Sequence, residues 1–274
     1  MKKTASIETE QNKPHCGVPA APRVIAGIGR VLLWSGGSLW IGRSAGRVLA
    51  HAHHAIQISL ALSGRLQLRS ADDGEWSSYA GAIVLPHQRH QFDGAGESVA
   101  QIFVEPETAQ GRALLRRYTA APINSLPGET IEALVASLRD AYAVGAANEV
   151  LITGSQHLVT QLCASEQVAP SIDPRITRAI EYLRSRLGDP ITLAAAAGVA
   201  HLSPSRFRHL FVAQTGMSFR TYLLWARVEA AVGAAMGGLS WTEAAHDWGF
   251  TDSAHLSRTC RRMFGLAPSM LIRE

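Results

Sequence analysis

The chain has 274 residues, which allows two domains and exceeds what one small hydrophobic core needs. A hydrophobic content of 47% and a charged content of 18% describe an ordinary soluble globular protein, and no run of 18 apolar residues could span a membrane. The formal net charge of +4 is modest for a protein of this size.

The positive charge is unevenly distributed along the chain. Residues 173–274 contain 12 Arg and no Lys against 8 acids, whereas residues 1–172 contain 14 basic and 14 acidic residues. The whole excess of +4 therefore lies in the last third and consists of arginine. Because the guanidinium fork matches phosphate and guanine geometry, this distribution indicates a nucleic-acid partner; a solvated basic face is the alternative.

The N-terminus and the cysteines both favour the cytoplasm. The first residues, MKKTASIETEQNKP, have two lysines but no apolar core after them, so they do not form a secretory signal. Their composition predicts a disordered tail over residues 1–22. Cys16, Cys163 and Cys260 match neither a zinc spacing nor a disulfide framework, which fits a reducing compartment.

Residues 23–106 have the pattern of a β domain. Short apolar stretches such as VLLWSGGSLWIG and AIQISLALSGRLQLRS are separated by turns rich in Gly, Asp and Ser. In RLQLRS the alternation places Leu66 and Leu68 on one face of a strand. Many short strands at this spacing predict an all-β sandwich or barrel.

After this β region the apolar period becomes helical. In PGETIEALVASLRDAYAVG the residues Ile131, Leu134 and Leu138 fall on one stripe. We predict helices over residues 107–167 and a linker near residues 166–173 that leads into a mostly helical C-terminal domain.

Two stretches of the last third share one layout. The first begins LAAAAGVAHLSPSRFRHLF at Leu193, and the second begins WTEAAHDWGFTDSAHLSRTC at Trp241. Each predicts a short Ala-rich helix, a tight turn and a second helix that carries basic side chains opposite an apolar stripe. In a helix-turn-helix, the second helix presents its outward N-terminal residues to base edges in the major groove. A long helix from Phe219 to Met236 joins the units, so both could enter successive major grooves.

Residues 173–274 resemble the DNA-binding domain of AraC-family transcription regulators. In the second unit the matching residues are Ala244-Ala245, Gly249-Phe250, Ser253, Leu256, Arg258, Phe264-Gly265 and Pro268, and in the first they are Leu202-Ser203-Pro204-Ser205, Phe207, Leu210-Phe211, Thr215-Gly216 and Ser218-Phe219. The resemblance implies base-reading positions at Ser205, Arg208, His209, Ser253, Ala254, Ser257 and Arg258, and phosphate contacts at Arg206, Arg261 and Arg262. For each of these side chains, a solvated helix face is the alternative.

Three positions bear on how closely the family pattern is kept. His201 stands where the first turn normally has Gly, and we expect the turn to survive because His tolerates positive φ better than most residues. Cys260 stands where the family prefers Phe, and we expect it to pack as a small hydrophobic residue. Ala254 can offer a base only a methyl contact.

The stretch HAHHAIQISLALSG, from His51 to Gly64, carries a second resemblance. His51, His53, Gln57 and Gly64 match the first motif of the cupin barrel, with Gln57 where metal-binding cupins have Glu, and His90 belongs to a shortened second motif. His51 and His53 share one strand face, so they could meet His90 inside the barrel. Three imidazoles and an amide oxygen suit nickel, copper or zinc.

Other readings of these histidines are open. AraC-like regulators often have a cupin-like barrel that holds no metal, so a structural role or an organic ligand is the alternative. The rival function is a metal-dependent cupin oxygenase or isomerase fused to a DNA-binding tail. A non-haem iron site needs a carboxylate beside two histidines, and Gln57 supplies none, so we expect no catalysis. We expect His54 and His87 to be accessory or exposed.

The sequence therefore predicts a multi-domain transcription regulator. An all-β cupin-like barrel with following helices senses a ligand, and an all-α domain with two helix-turn-helix units binds double-stranded promoter DNA. The partners implied are a small-molecule or metal effector, a second copy in a homodimer, and RNA polymerase. By resemblance the stripe at Ile131, Leu134 and Leu138 forms the dimer interface; packing against the chain's own barrel is the alternative.

Overall fold

The computed structural model describes residues 27–70, 74–163 and 171–274. The predicted tail at residues 1–22 and the predicted linker as far as residue 170 lie outside the described residues. Within the described ranges, no helix combines the length and the apolarity that crossing a membrane requires.

β-Strands make up most of the described N-terminal domain and form two sheets. The strands are β1 Gly27–Trp34, β2 Gly37–Ser44, β3 Arg47–His51, β4 Ile56–Ala61, β5 Leu66–Ser70, β6 Ser77–Tyr79, β7 Gly81–Val84, β8 His90–Asp93, β9 Ser98–Val104, β10 Ile123–Ser125 and β11 Leu271–Arg273. The larger sheet has the order β10-β7-β4-β9-β2-β1-β11, and the smaller has the order β3-β8-β5-β6. β11 pairs with β1 in parallel, so the end of the C-terminal domain extends the N-terminal sheet.

The described strands form two sheets and no single closed barrel, so the barrel part of the predicted fold is not confirmed. The smaller sheet ends at β3 and β6, and neither of these strands pairs with the larger sheet. Closure needs a continuous ladder with a regular stagger, but the β3–β8 register shifts between Val48 and His51, and β6 has only three residues. The mostly β N-terminal domain and the helical C-terminal domain agree with the predicted fold class.

The alternation along β4 divides the interior into two regions. Ile56, Ile58 and Leu60 are fully buried in a cluster that also contains apolar residues of the following helices. Gln57 and Ser59 are equally inaccessible but point to the opposite face, towards the space between the sheets. The helices therefore cover one face of the larger sheet, and the smaller sheet covers the other.

Three helices follow β9 and cover the outer face of the larger sheet. They are α1 Ala109–Arg117, α2 Gly128–Ala143 and α3 Asn148–Cys163. Ile131 and Leu138 of α2 are 2% and 3% exposed, and Leu134 is half-buried against the same cluster. Ile131 and Leu138 therefore pack within the chain, as the alternative expectation had it, and the predicted dimer interface stays a prediction.

The C-terminal domain is helical. Its helices are α4 Pro174–Arg184, α5 Leu193–Val199, α6 Pro204–Thr215, α7 Phe219–Met236, α8 Trp241–Asp247 and α9 Ser253–Phe264. The Asp173 side chain accepts a hydrogen bond from the Arg175 N–H and caps α4, with Pro174 in the first turn. α7 is buried on several faces: Tyr222 packs in the core of α4–α6, and Val232 packs in that of α8 and α9.

The C-terminal domain is packed directly on the β domain. Phe264, at the end of α9, stacks on Trp40 of β2 with ring centroids 4.9 Å apart. The next residue, Gly265, has φ +69° and accepts a hydrogen bond of 3.2 Å from the Leu49 N–H of β3. A Cβ at Gly265 would lie 2.3 Å from the Leu49 oxygen, so only glycine fits this contact.

The paired glycines at the ends of α6 and α9 allow a matched test of this docking. Gly216 and Gly265 both have left-handed backbone, but a Cβ at Gly216 would meet only the His87 side chain, with Nε2 nearest at 3.4 Å. Alanine at either position should cost about 1–2 kcal/mol of stability from backbone strain. We expect Gly265→Ala to lose about 1–3 kcal/mol more, because its methyl group overlaps β3. Urea unfolding of both variants measures the difference, and equal losses would contradict the docked arrangement.

Candidate functional site

The two helix-turn-helix units are built in the same way. In the first, α5 and α6 are joined at a turn, and the Ser203 side chain caps α6 by accepting from the Arg206 N–H at 3.4 Å. In the second, Asp252 caps α9 by accepting from the His255 N–H at 2.6 Å. The caps satisfy backbone donors of the first turn and fix where each second helix begins.

The turns and packing agree with the expectations for the unusual residues. His201 has φ +53°, so histidine does adopt the left-handed conformation at the turn position where the family has Gly. Cys260 is completely buried among the apolar residues of α7, α8 and α9. Burial raises the pKa of the Cys260 thiol to about 12, so the residue stays neutral and packs as a hydrophobic group.

The predicted DNA-contacting residues lie on the accessible faces of α6 and α9. Phe207, Phe211 and Leu256 turn the opposite faces into the core. Exposed are Ser205, Arg206, Arg208, His209, Ala254, Arg258, Arg261 and Arg262, while Ser253 and Ser257 are half-buried. Each recognition helix thus presents polar and basic groups at and beyond its N-terminus, where a helix-turn-helix reads bases.

The second candidate site is a cluster of three histidines between the sheets. His51 ends β3 and pairs in register with His90, which begins β8. His53 follows β3, and Gln57 lies on β4. All four side chains are buried, and one potential ligand nitrogen of each histidine lies within 4.8 Å of the others. The structure therefore brings together the residues that the sequence placed in one site.

Backbone carbonyls fix the tautomer of each histidine. The Nδ1 atoms of His51, His53 and His90 lie 2.8, 2.9 and 2.9 Å from the carbonyl oxygens of Leu49, Ala55 and Gln88. A carbonyl only accepts, so each Nδ1 carries the proton and each neutral ring has its lone pair on Nε2. Metal-ligating histidines commonly show this arrangement, with the second nitrogen donating to a carbonyl.

The amide of Gln57 adds another acceptor to the same place. Its Nε2 donates to Ser59 Oγ at 2.9 Å and to Gln101 Oε1 at 3.0 Å, which turns Oε1 towards the histidines. Oε1 then lies 2.8 Å from His53 Nε2 and 3.2 Å from His90 Nε2. Oxygen and nitrogen lone pairs face each other at these distances, an arrangement that a cation would stabilise.

Burial keeps the histidines neutral. Loss of hydration, together with the nearby His90, lowers the pKa of His51 to about 3. Burial also lowers the pKa of His53 and of His90. Protonation of these histidines is therefore unfavourable, so a proton does not supply the positive charge that the converging lone pairs would stabilise. A neutral imidazole is also the form that binds a transition metal.

Buried polar contacts within the β domain and between the two domains form a third feature, which the sequence did not predict. His54 is buried, not exposed, and its Nε2 lies 2.6 Å from Glu107 Oε1. Arg184 of α4 pairs with Glu105, and Ser38 Oγ donates to Glu229 of α7 at 3.4 Å. Burial raises the pKa of Glu229. In the sequence, the only local indication of these contacts was Glu229, the single acidic residue of the mostly apolar α7.

Comparison with known proteins finds a family match in the C-terminal part of the chain. Residues 196–274 match the family model described as a helix-turn-helix domain. The arabinose operon regulatory proteins of Escherichia coli and Salmonella typhimurium are both 32% identical to this chain over 111 residues. That segment is 38% of this chain and spans only 37% and 38% of these relatives' own length.

Solved structures match the chain more broadly, at lower identity. A crystal structure of ToxT from Vibrio cholerae O395 has a TM-score of 0.55 at 12% identity, covering 86% of this chain and 96% of that chain. A structure of unsaturated fatty acid bound ToxT from strain SCE256 has a TM-score of 0.52 at 12% identity, covering 85% and 92%. This likeness shows a shared two-domain fold. The matching family model, together with the arabinose operon relatives, identifies residues 196–274 as a helix-turn-helix domain that is similar to those of AraC-type regulators.

Proposed function

We propose that the chain is a sequence-specific DNA-binding transcription regulator whose N-terminal β domain binds the effector that controls it. The observation that carries this proposal is the pair of capped recognition helices, each with one face in the core and polar and basic groups on the other. The names of the arabinose operon relatives support a regulatory role, and the unsaturated fatty acid bound to ToxT supports a small-molecule ligand for a chain of this fold.

The exposed residues divide into two proposed roles. Side chains near the N-termini of the recognition helices read bases: Ser205, Arg208 and His209 on α6, and Ser253, Ala254, Ser257 and Arg258 on α9. Arg206, Arg261 and Arg262 hold phosphates and fix the register on the duplex. Double-stranded promoter DNA is the partner, with a second copy of the chain and RNA polymerase expected from the family.

Arg258→Ala tests the base-reading role. Arginine forms bidentate hydrogen bonds to guanine, so its loss should cost about 1–3 kcal/mol on a preferred duplex and relax the preference at one base pair. A preferred duplex comes from selection on a random library, and fluorescence anisotropy on that duplex and on random DNA gives both affinities. Arg139→Ala, an exposed arginine on α2, is the matched control. An equal loss on both duplexes would make Arg258 a phosphate contact.

We further propose a divalent transition metal, nickel, copper or zinc, as the effector. His51, His53 and His90 would bind it through Nε2, with Gln57 Oε1 as a further ligand. The support is the set of converging lone pairs, which are held in place by carbonyls and by the Gln57 amide before any ion binds. When bound, the ion would draw β3, β4 and β8 together.

The donor set favours sensing over catalysis. A non-haem iron oxygenase needs a carboxylate beside two histidines, and the metal-binding group in the described residues consists of histidines alone. The chemistry of these ligands therefore fits a regulatory ion better than the rival enzyme.

The site can act on DNA binding because it adjoins the second helix-turn-helix unit. A Cβ at Gly265 would lie 2.7 Å from His51 Nδ1, and the His53 ring centroid lies 6.3 Å from that of Phe264. A ligand that shifts β3 by a fraction of an ångström would change the contact on which α9 rests. Such coupling needs only a difference in metal affinity between two arrangements of the domains.

Metal binding is tested on tag-free protein by elemental analysis and calorimetry with nickel, copper and zinc. We expect one ion per chain. The variant with His51→Ala and His53→Ala should lose more than about 100-fold in metal affinity, because removing a residue that binds the metal directly costs more than removing one that only hydrogen-bonds to such a residue. His157→Ala, an exposed histidine on α3, should bind like the wild type. Binding that survives the double substitution, or no binding by the wild type, would exclude this site.

The effector role requires a further measurement. The bound ion should change the affinity for the selected duplex by about 5-fold or more in the wild type and leave the double variant unchanged. Anisotropy titrations with the metal and with a chelator give both values. Unchanged affinity in the wild type would exclude the metal as effector and leave the DNA-binding function intact.

A further inference from the structure

The two helix-turn-helix units have separate hydrophobic cores that meet at the middle of α7. Tyr222, in the first half of α7, packs with α4, α5 and α6, whereas Val232, in the second half, packs with α8 and α9. Trp248, directly after α8, packs against both cores. The orientation of α6 relative to α9 therefore depends on α7 and on the contacts at this junction.

One guanidinium group joins the two units at the junction. Arg227 lies half-buried at the middle of α7. Its Nε and Nη2 donate to the carbonyls of Leu187 and Asp189, at 2.8 and 2.7 Å, in the loop between α4 and α5. Its Nη1 donates to the Gly249 carbonyl, at 3.2 Å, in the turn between α8 and α9. A single planar group thus holds backbone carbonyls of both units.

The shape of the arginine side chain suits these contacts. A guanidinium group is a rigid plane whose N–H groups point in fixed directions, so it can hold several carbonyls at set angles. A lysine ammonium is instead a point charge on a flexible stem. Because the three acceptors are neutral carbonyls and not carboxylates, the geometry of the Arg227 side chain matters here more than its charge.

The backbones of the two units also approach each other directly at this place. A Cβ at Gly188, in the loop between α4 and α5, would lie 2.5 Å from the carbonyl oxygen of Asp247 at the end of α8. The backbone of Gly188 is not left-handed, so the close approach and not the conformation requires glycine. A Cβ at Gly249 would likewise lie 2.7 Å from Arg227 Cζ. The two glycines therefore bring the units within reach of one side chain.

The β domain contacts the opposite face of α7. The Trp225 ring lies 6.0 Å from that of His53, and Glu229 accepts a hydrogen bond from Ser38. Arg227 is two residues from Trp225 and from Glu229, and an α-helix turns by about 200° over two residues. The β domain and Arg227 thus constrain the helical units from opposite sides of α7, so neither replaces the other.

We infer that Arg227 is a positioning residue for DNA recognition. It fixes the separation of α6 and α9, and thereby the number of base pairs between the two halves of the site that these helices read. One extra base pair displaces the second half by about 3.4 Å along the duplex and rotates it by about 35°. Rigidly joined units cannot follow this change and accept one spacing. The inference rests on the proposed function, because it requires two helices that read bases.

The test compares the selected duplex with the same duplex carrying one extra base pair between its halves, using anisotropy on the full chain. The wild type should bind the longer duplex about 10-fold or more weakly, because one unit loses its base contacts. Arg227→Lys keeps the charge and loses the planar fork, and Gly188→Ala adds a methyl group that separates the backbones. In each variant the ratio of the two affinities should fall by about 3-fold or more.

Two variants serve as controls for this ratio. A Cβ at Gly198 of α5 would meet nothing within 4 Å, and Arg220 is an exposed arginine in the first turn of α7. Gly198→Ala and Arg220→Lys should therefore keep the wild-type ratio. Partial unfolding weakens binding to both duplexes equally and leaves the ratio unchanged, so the ratio separates positioning from a loss of stability.

The outcomes distinguish this inference from the proposed function. A wild type that binds both duplexes equally, or an unchanged ratio in Arg227→Lys whatever Gly188→Ala does, would overturn the positioning role and leave sequence-specific binding intact. A wild type for which no preferred duplex can be selected would overturn the proposed function and the positioning role together.

Discussion

An aromatic stack joins the two domains, and the arrangement of the rest of the molecule depends on it. Phe264 lies between Trp40 of β2 and Trp225 of α7, with centroid distances of 4.9 and 5.0 Å and nearly parallel rings. Stacked rings bury large apolar areas and hold a defined orientation. Because Phe264 is the last residue of α9, the direction of the second recognition helix is set relative to the β domain.

The polar groups between the two sheets are held in place by hydrogen bonds and not by close packing. A chain of amide and hydroxyl groups runs from the histidines through Gln57 and Ser59 to Gln101, and each orientation fixes the next. At one end of this chain acceptors converge, and at the other end Gln101 Nε2 has no acceptor among the described residues. A buried network that is incomplete is costly, so these polar groups weaken the core that they organise.

The parts of the structure that the sequence predicted are those with local signals. Turn residues and helical period located α7 and both recognition helices, because each signal lies within a few residues of what it controls. The three histidines could be assigned to one site because a strand places alternate residues on one face.

The parts that were missed depend on pairs that are distant in the chain. Strand pattern cannot show whether two sheets close, so the predicted barrel is not confirmed. Nothing near His54 in the sequence indicates Glu107, and the pairing of Glu105 with Arg184 joins separate domains. The short stretch Leu271–Arg273 has too few residues to show a strand period, and only its pairing with β1 makes it one.

The parallel pairing of β11 with β1 has a consequence for biosynthesis. β1 is made early and its outer edge finds its partner only when residues 271–273 have left the ribosome. Until then the edge presents open N–H and C=O groups, which can pair with another chain. The nascent β domain therefore passes through an incomplete state that lasts until the rest of the chain has been translated, and the β domain and the helical domain are joined at this sheet edge in one late step.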